Sequence, residues 1–331
     1  MPRPTIEEVA ALAGVSRSTV SRVVNGSTAV SPEAVAAVQQ AIQALNYAPN
    51  RAARSLASRR THAVGLVIPE DTARFFGDPY LASVVAGINA RMSASDYVLT
   101  LLIASDDPGG KMVRFICNGG VDGAIIVSHH TSDVFVERIA DAVPVVFGGR
   151  PVNERDSDHV VDVDNVQAAR EATAHLIRTG RRRIATITGP LTMAVGVDRL
   201  TGFRSALQDA GLAPVGEADG DFSEHGGAAA ARALLAAGTR PDAIFAASDL
   251  MARGALGVLH AAGLRVPEDV ALVGFDDSPV ALATDPPLTT VRQPMFAQGE
   301  TLASVLLDVL AGRSAPHRVI LPTELVVRES A

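Results

Sequence analysis

The chain has 331 residues, 47% of them hydrophobic, and a formal net charge of −7. That length suits two or three domains with a large core. A single cysteine, Cys117, excludes an intramolecular disulfide framework and a cysteine-rich metal site, and reads as a small buried hydrophobe. With no apolar run of about 18 residues and no N-terminal signal pattern, a cytoplasmic protein without a membrane span is expected.

The charge is unevenly spread. Residues 1–60 hold seven arginines and three glutamates, a balance of +4, so the remainder carries −11. A basic end on an acidic body suits phosphate attraction at one end and solubility at the other. Within that end, Thr5 to Ala13 reads as a helix, with Thr5 and Glu8 at capping-box spacing. Gly14 supplies a tight turn, Ser16 caps again, and a second helix runs from Arg17 to Val24 before Asn25-Gly26. Helix, short glycine turn, helix is the spacing of a helix-turn-helix, whose second helix enters the DNA major groove. Arg17, Ser18, Thr19, Ser21 and Arg22 form its outward face, while Val15, Val20, Val23 and Val24 are left for a core. Ser31-Pro32-Glu33 starts a third helix, running to about Leu45 with Val35, Val38, Ile42 and Leu45 as its inner stripe.

Residues 5–60 resemble the headpiece of the LacI/GalR family of bacterial transcription regulators. The resemblance rests on Thr5 to Asn25 (TIEEVAALAGVSRSTVSRVVN), on Leu45-Asn46-Tyr47 with Pro49-Asn50, and on Arg51-Ala52-Ala53-Arg54-Ser55-Leu56-Ala57. It adds Thr5, Ser16, Asn25, Asn50, Ala53 and Leu56 to the outward face as candidate DNA contacts. It also implies that the linker, too short to be helical alone, folds as a hinge helix on operator DNA. Two such helices from a dimer would enter the minor groove, with Leu56 wedged between base pairs. A pseudo-palindromic double-stranded operator calls for a homodimer. No heptad tail follows Val326-Val327, so a dimer without further assembly is expected.

From Ala63 onward short apolar runs alternate with helical stretches. Strands are expected at Val64–Ile68, Tyr97–Ile103, Gly123–Val127, Pro144–Phe147, Ile184–Thr188, Ala243–Ala247 and Ala271–Phe275, with helices between. Continuous apolar strands alternating with helices imply parallel sheets covered on both faces. The expected fold class is therefore an N-terminal all-α helix-turn-helix headpiece (1–49) and a hinge (50–60), followed by an α/β core (61–331). The core consists of two doubly wound parallel-sheet subdomains of the periplasmic-binding-protein type that the resemblance also implies. Chain crossings are placed near Asp162, Arg292 and Leu321. The N-subdomain then takes 61–162 and 292–321, and the C-subdomain 163–291 and 322–331.

Ligands of doubly wound sheets bind at the carboxyl ends of strands. The polar and aromatic residues there are Asp71, Phe76, Tyr80, Ser128, His129, Arg150, Asp162, Arg199, Phe222, Asp249 and Asp276. The resemblance matches Arg199, Phe222, Asp249 and Asp276 best to the family's effector contacts. Carboxylates and arginine suit a polyhydroxylated ligand, and an aromatic ring can stack on a sugar or base. Asp71, Asp162, Asp249 and Asp276 each have a second reading as a helix cap or turn residue. Which of Phe75, Phe76 and Tyr80 lines the cleft stays open. His129-His130 lacks a third ligand at metal spacing. The implied effector is a small molecule, by default a sugar with a purine as alternative, acting as inducer or co-repressor. No cofactor and no catalytic motif is found: G-x-S-x-G, G-x-x-x-x-G-K-[ST] and H-E-x-x-H are absent. The competing reading, a transporter's solute-binding protein, fits the sheets but has no use for a helix-turn-helix.

Overall fold

In the computed structural model, the structure describes residues 4–24, 29–47, 60–103, 105, 107, 109–151 and 153–331. The chain divides into Met1–Thr61 and His62–Ala331. The first unit holds α1 (Ile6–Ala13), α2 (Arg17–Val24) and α3 (Pro32–Ala44). Glu8 N donates to Thr5 Oγ1 at 3.3 Å, and Thr5 N donates to Glu8 Oε2 at 2.7 Å, so the capping box is closed. Gly14 takes φ 65°, the left-handed turn between α1 and α2. Val9, Val20 and Val38, one from each helix, are fully buried against one another, with Ala10 and Ala41 beside them. Burying each valine contributes about 1.5–3 kcal/mol, and so small a core has little redundancy.

The second unit carries two six-stranded sheets. The first runs β11-β5-β4-β3-β1-β2, all parallel, from β1 (Ala63–Ile68), β2 (Val98–Ile103), β3 (Gly123–Val127), β4 (Val145–Gly148), β5 (His159–Val163) and β11 (Arg318–Leu321). The second runs β12-β10-β9-β8-β6-β7, from β6 (Ile184–Thr188), β7 (Gly216–Asp219), β8 (Ala243–Ala246), β9 (Ala271–Asp276), β10 (Thr289–Arg292) and β12 (Glu324–Val326). Only the β10–β12 pair there is antiparallel. The chain therefore passes between sheets after β5, after β10, and between β11 and β12. The central strands β3 and β8 are buried throughout, as strands covered on both faces must be.

Helices α4 (Thr72–Gly77), α5 (Pro79–Met92), α6 (Lys111–Phe115) and α7 (Phe135–Ala142) belong to the first sheet's stretch of chain. The second has α8 (Asn165–Arg178), α9 (Ala194–Asp209), α10 (Glu224–Ala236), α11 (Asp249–Ala261) and α12 (Pro279–Leu282). After β10 the chain returns as α13 (Met295–Leu310), which packs on α5 and on the first sheet. Gly87 on α5 and Gly299 on α13 meet the facing helix so closely that a Cβ on either would strike a backbone carbonyl, of Phe296 and Val84 respectively. Periodicity alone did not single out α13, although Leu302, Ala303, Leu306 and Leu310 line its buried stripe. Cys117 corrects the sequence expectation: it is exposed. Residues 116–120 wind into a π-turn after α6, in which Ile116 takes the buried position.

Candidate functional site

Between the two sheets, at the carboxyl ends of their strands, lies a cavity with about 720 Å³ of empty space including its mouth. Its centre is Arg199 on α9, 4% exposed. The guanidinium donates to Asn165 Oδ1 at 3.0 Å and to the Ala247 carbonyl at 2.6 Å, and stacks 3.5 Å over the Phe275 ring. Asp276 Oδ1 stands 3.7 Å from it and accepts a 2.6 Å hydrogen bond from the Gln293 amide. Burial pushes the Asp276 carboxyl well above the usual carboxylate range, and Arg199 opposes that shift. The same burial lowers the Arg199 guanidinium, with Asp276 the main opposing charge. Removing one partner of such a buried pair costs about 3–5 kcal/mol, because the other charge is stranded.

The opposite wall comes from the first sheet. Asp162 accepts from Val163 N at 2.8 Å and from Asn165 Nδ2 at 3.0 Å through one oxygen, and from Arg150 N at 3.2 Å through the other. Burial raises its carboxyl as well. Tyr80 donates its hydroxyl to Gln298 at 3.2 Å, and burial pushes the phenol upward, so it stays protonated. Asp78 caps α5 and pairs with Arg74 at 3.5 Å. His129 is driven down to about 4 by burial and is neutral. Ser128 donates to Glu70 at 2.6 Å, and Glu70 also meets His130 at 3.3 Å. Polar ties cross the mouth: Arg150 to Asp198 at 2.9 Å, and His130 to the Thr192 hydroxyl at 2.8 Å.

In the helical unit, Arg17, Ser18 and Arg22 are exposed on α2, whereas Thr19 and Ser21 are half-buried. Ser16, the residue before α2, accepts from Thr19 N at 3.1 Å, and its hydroxyl meets those of Ser18 at 2.7 Å and Thr19 at 2.9 Å. Arg17 pairs with Glu7 across the two helices at 3.3 Å, both side chains in solvent. Asn25, Asn50, Ala53 and Leu56 lie outside the described residues, as does most of the linker expected to form a hinge.

Residues 5–50 match the family described as bacterial regulatory proteins, lacI family, and residues 173–331 match a periplasmic binding protein-like domain. The transcriptional regulator CelR of Thermobifida fusca is 46% identical, covering 99% of this chain and 98% of its own. The ribose operon repressor of Escherichia coli K12 is 37% identical, covering 96% and 94%. Among solved structures, a CelR–cellobiose complex superposes with TM-score 0.79 at 44% identity, over 99% of this chain and all of that one. A lac repressor dimer bound to operator and an anti-inducer superposes with TM-score 0.85 at 30% identity, over 99% of both. The chain belongs to the lacI family of bacterial regulatory proteins. It is a DNA-binding transcriptional regulator with a helix-turn-helix headpiece and an α/β core of two parallel-sheet subdomains.

On this lacI-family core the structure brings eight of the sequence candidates to the cavity wall: Tyr80, Ser128, His129, Arg150, Asp162, Arg199, Phe222 and Asp276. Three fall elsewhere. Asp71 caps α4, accepting from Arg74 N at 2.8 Å, and faces solvent. Helix α4 settles the aromatic choice left open, turning Phe75 into the core and leaving Phe76 79% exposed. Asp249 lies beneath the cavity, fully buried, accepting from the Thr290 hydroxyl at 2.6 Å and from Ser278 N at 2.8 Å. Ser248, not Asp249, caps α11. Phe222 is buried against Gly189, where a Cβ would strike the ring, so only part of the ring meets the cavity. Arg74, Asp78, Asn165, Ser248 and Gln293 also line the wall and were missed. Gln293 lies beside the crossing placed near Arg292, and nothing local marks it or Asn165 as a cavity residue.

Proposed function

We propose that this regulator is a homodimeric repressor of a pseudo-palindromic operator, controlled by a neutral sugar bound between the two core subdomains. The observation that carries the sugar reading is the charge balance of the cavity. Arg199 faces Asp276, Arg150 is paired with Asp198 and Arg74 with Asp78, so each lining arginine already has a carboxylate partner. A phosphosugar would need a cation released from its pair. A neutral polyol needs only the donors and acceptors that Asp276, Asn165, Asp162, Gln293 and Arg199 present. The CelR–cellobiose complex makes cellobiose the first candidate, with ribose next and a purine last. Calorimetric titration with cellobiose, glucose 6-phosphate, ribose and hypoxanthine tests this. Binding of the phosphosugar or the purine but not of a neutral sugar would overturn the reading.

The headpiece (1–49) reads the operator half-site, the hinge (50–60) its centre through Ala53 and Leu56, and the core (61–331) senses the sugar and pairs with a second copy. The lac repressor dimer on operator supports the pairing. The chain works in the cytoplasm and has no catalytic role; among the described residues no helix is long and apolar enough to cross a membrane. Arg22 faces solvent on the recognition helix and suits a bidentate contact to guanine, worth about 1–3 kcal/mol of discrimination. Arg22→Ala is expected to flatten the base preference of a panel of substituted operators. An unchanged preference would remove Arg22 from the reading head.

A further inference from the structure

Asp276, the carboxylate at the cavity centre, is followed by a second buried carboxylate that lies outside the cavity. Asp277 takes a left-handed backbone, φ 52°, after φ 117° at Asp276, a pair of conformations rare for residues with side chains. Its carboxylate holds two arginines, Arg292 at 2.7 Å and Arg328 at 2.5 Å. Arg292 is the last residue of β10. The next residue, Gln293, starts the crossing to α13 and donates to Asp276. Arg292 also pairs at 3.2 Å with Glu324, the first residue after the third crossing. Arg328 is fixed in turn by donating to the Leu288 carbonyl at 2.7 Å, just before β10. Two carboxylates and two guanidiniums thus balance around one turn, and they join the cavity to two of the three segments that link the subdomains.

We propose that Asp277 is a positioning residue that couples the cavity to these crossings: a shift of Asp276 on ligand binding is passed through Asp277 to Arg292 and from there to Glu324. This rests on the cleft being the effector site. A ligand alters DNA affinity only through an element whose two arrangements it distinguishes, and here the buried Asp277 carboxylate anchors both the half-exposed Arg292 and the largely buried Arg328, so its movement carries Arg292 with it. With Asp277 uncharged, Arg292 keeps only the exposed Glu324, a weak tie in water.

The test uses the full chain and the variant Asp277→Asn, which keeps size and removes charge. Without ligand, amide exchange is expected to quicken at Gln293 and Met295 and also around 321–324, with β8 and β9 unchanged. With cellobiose, the dissociation constant should stay within about threefold of wild type, while the sugar-driven change in operator affinity falls by about fivefold or more. Asp277→Glu should restore part of that change. Should Asp277→Asn fold poorly, Arg292→Gln removes one arm at a half-exposed site and should quicken the same two segments. Faster exchange confined to 276–278, an undiminished operator response, or loss of sugar binding itself would overturn the proposal. A wild-type protein indifferent to cellobiose and to ribose would sink the sugar reading alone, and the exchange result would still decide the coupling.

Discussion

The two walls of the cavity grow from sheets of matching strand order, yet they carry different chemistry. The wall from the second sheet sets one deeply buried pair, Arg199 and Asp276, with Asp249 beneath them. The first sheet's wall carries more charged groups but has each tied up, Arg74 with Asp78, Arg150 with Asp198, and Asp78 and Asp162 with backbone donors, beside Tyr80, Ser128 and neutral His129. Topology therefore fixes where a ligand sits, and the residues at the strand ends decide which wall grips it. On this comparison the second wall supplies the grip and the first supplies shape.

The largest expected effect falls on the second wall. Arg199→Ala strands Asp276 without its cation, so it should lower unfolding stability by about 3–5 kcal/mol and abolish sugar binding, measured by denaturant titration and calorimetry. A stable variant that still binds sugar would make the two walls equal. On the first wall, Tyr80→Phe removes one hydroxyl and its bond to Gln298, worth about 0.5–1.5 kcal/mol. Its sugar affinity should fall about tenfold at most; a loss matching that of Arg199→Ala would reverse the ranking. The remaining effect is a pH slope. Burial pushes Asp249 up to about 7, so the folded state holds a proton that the unfolded chain releases near its ordinary value of 3.8. The stability from that proton is present below about 4 and is lost as pH rises through 7. Asp249→Asn mimics the protonated acid, with its carbonyl facing Ser278 N and its amide facing the Thr290 hydroxyl. Melting temperature followed from pH 4 to 8 should therefore decline less steeply in the variant than in wild type, and parallel curves would place the slope elsewhere.

How much of this was legible in the sequence depends on whether a residue's role is local. Thr5 and Glu8 close a box within one turn of helix, and the buried valines of α1 to α3 follow helical spacing, so both could be read from spacing alone. Seven of the parallel strands likewise showed as apolar runs, whereas β5, β7, β10 and β11 were not singled out. Asp71 and Phe76 left the cleft because residues 72–77 form a short helix, which assigns one residue to a cap and the other to solvent. Asp249 was placed at the right strand end but lies deeper than expected, beneath the cavity, since depth is set by Ser278 and Thr290, residues far along the chain. Gln293 and Arg74 reach the wall only because the chain crosses between sheets and because α4 exists. Neither leaves a periodic trace.

The most direct test of the account is operator binding by Asp276→Asn, measured with and without cellobiose beside wild type. The cavity and the reading face of α2 lie in separate units of the chain, so ligand and DNA recognition should separate. The variant is expected to bind operator as wild type does without sugar and to stay unresponsive at sugar concentrations that shift wild type fully, its sugar affinity lowered by about ten- to a hundredfold. A variant that responds to the sugar at the wild-type concentration would contradict the account and leave Asp276 a turn residue.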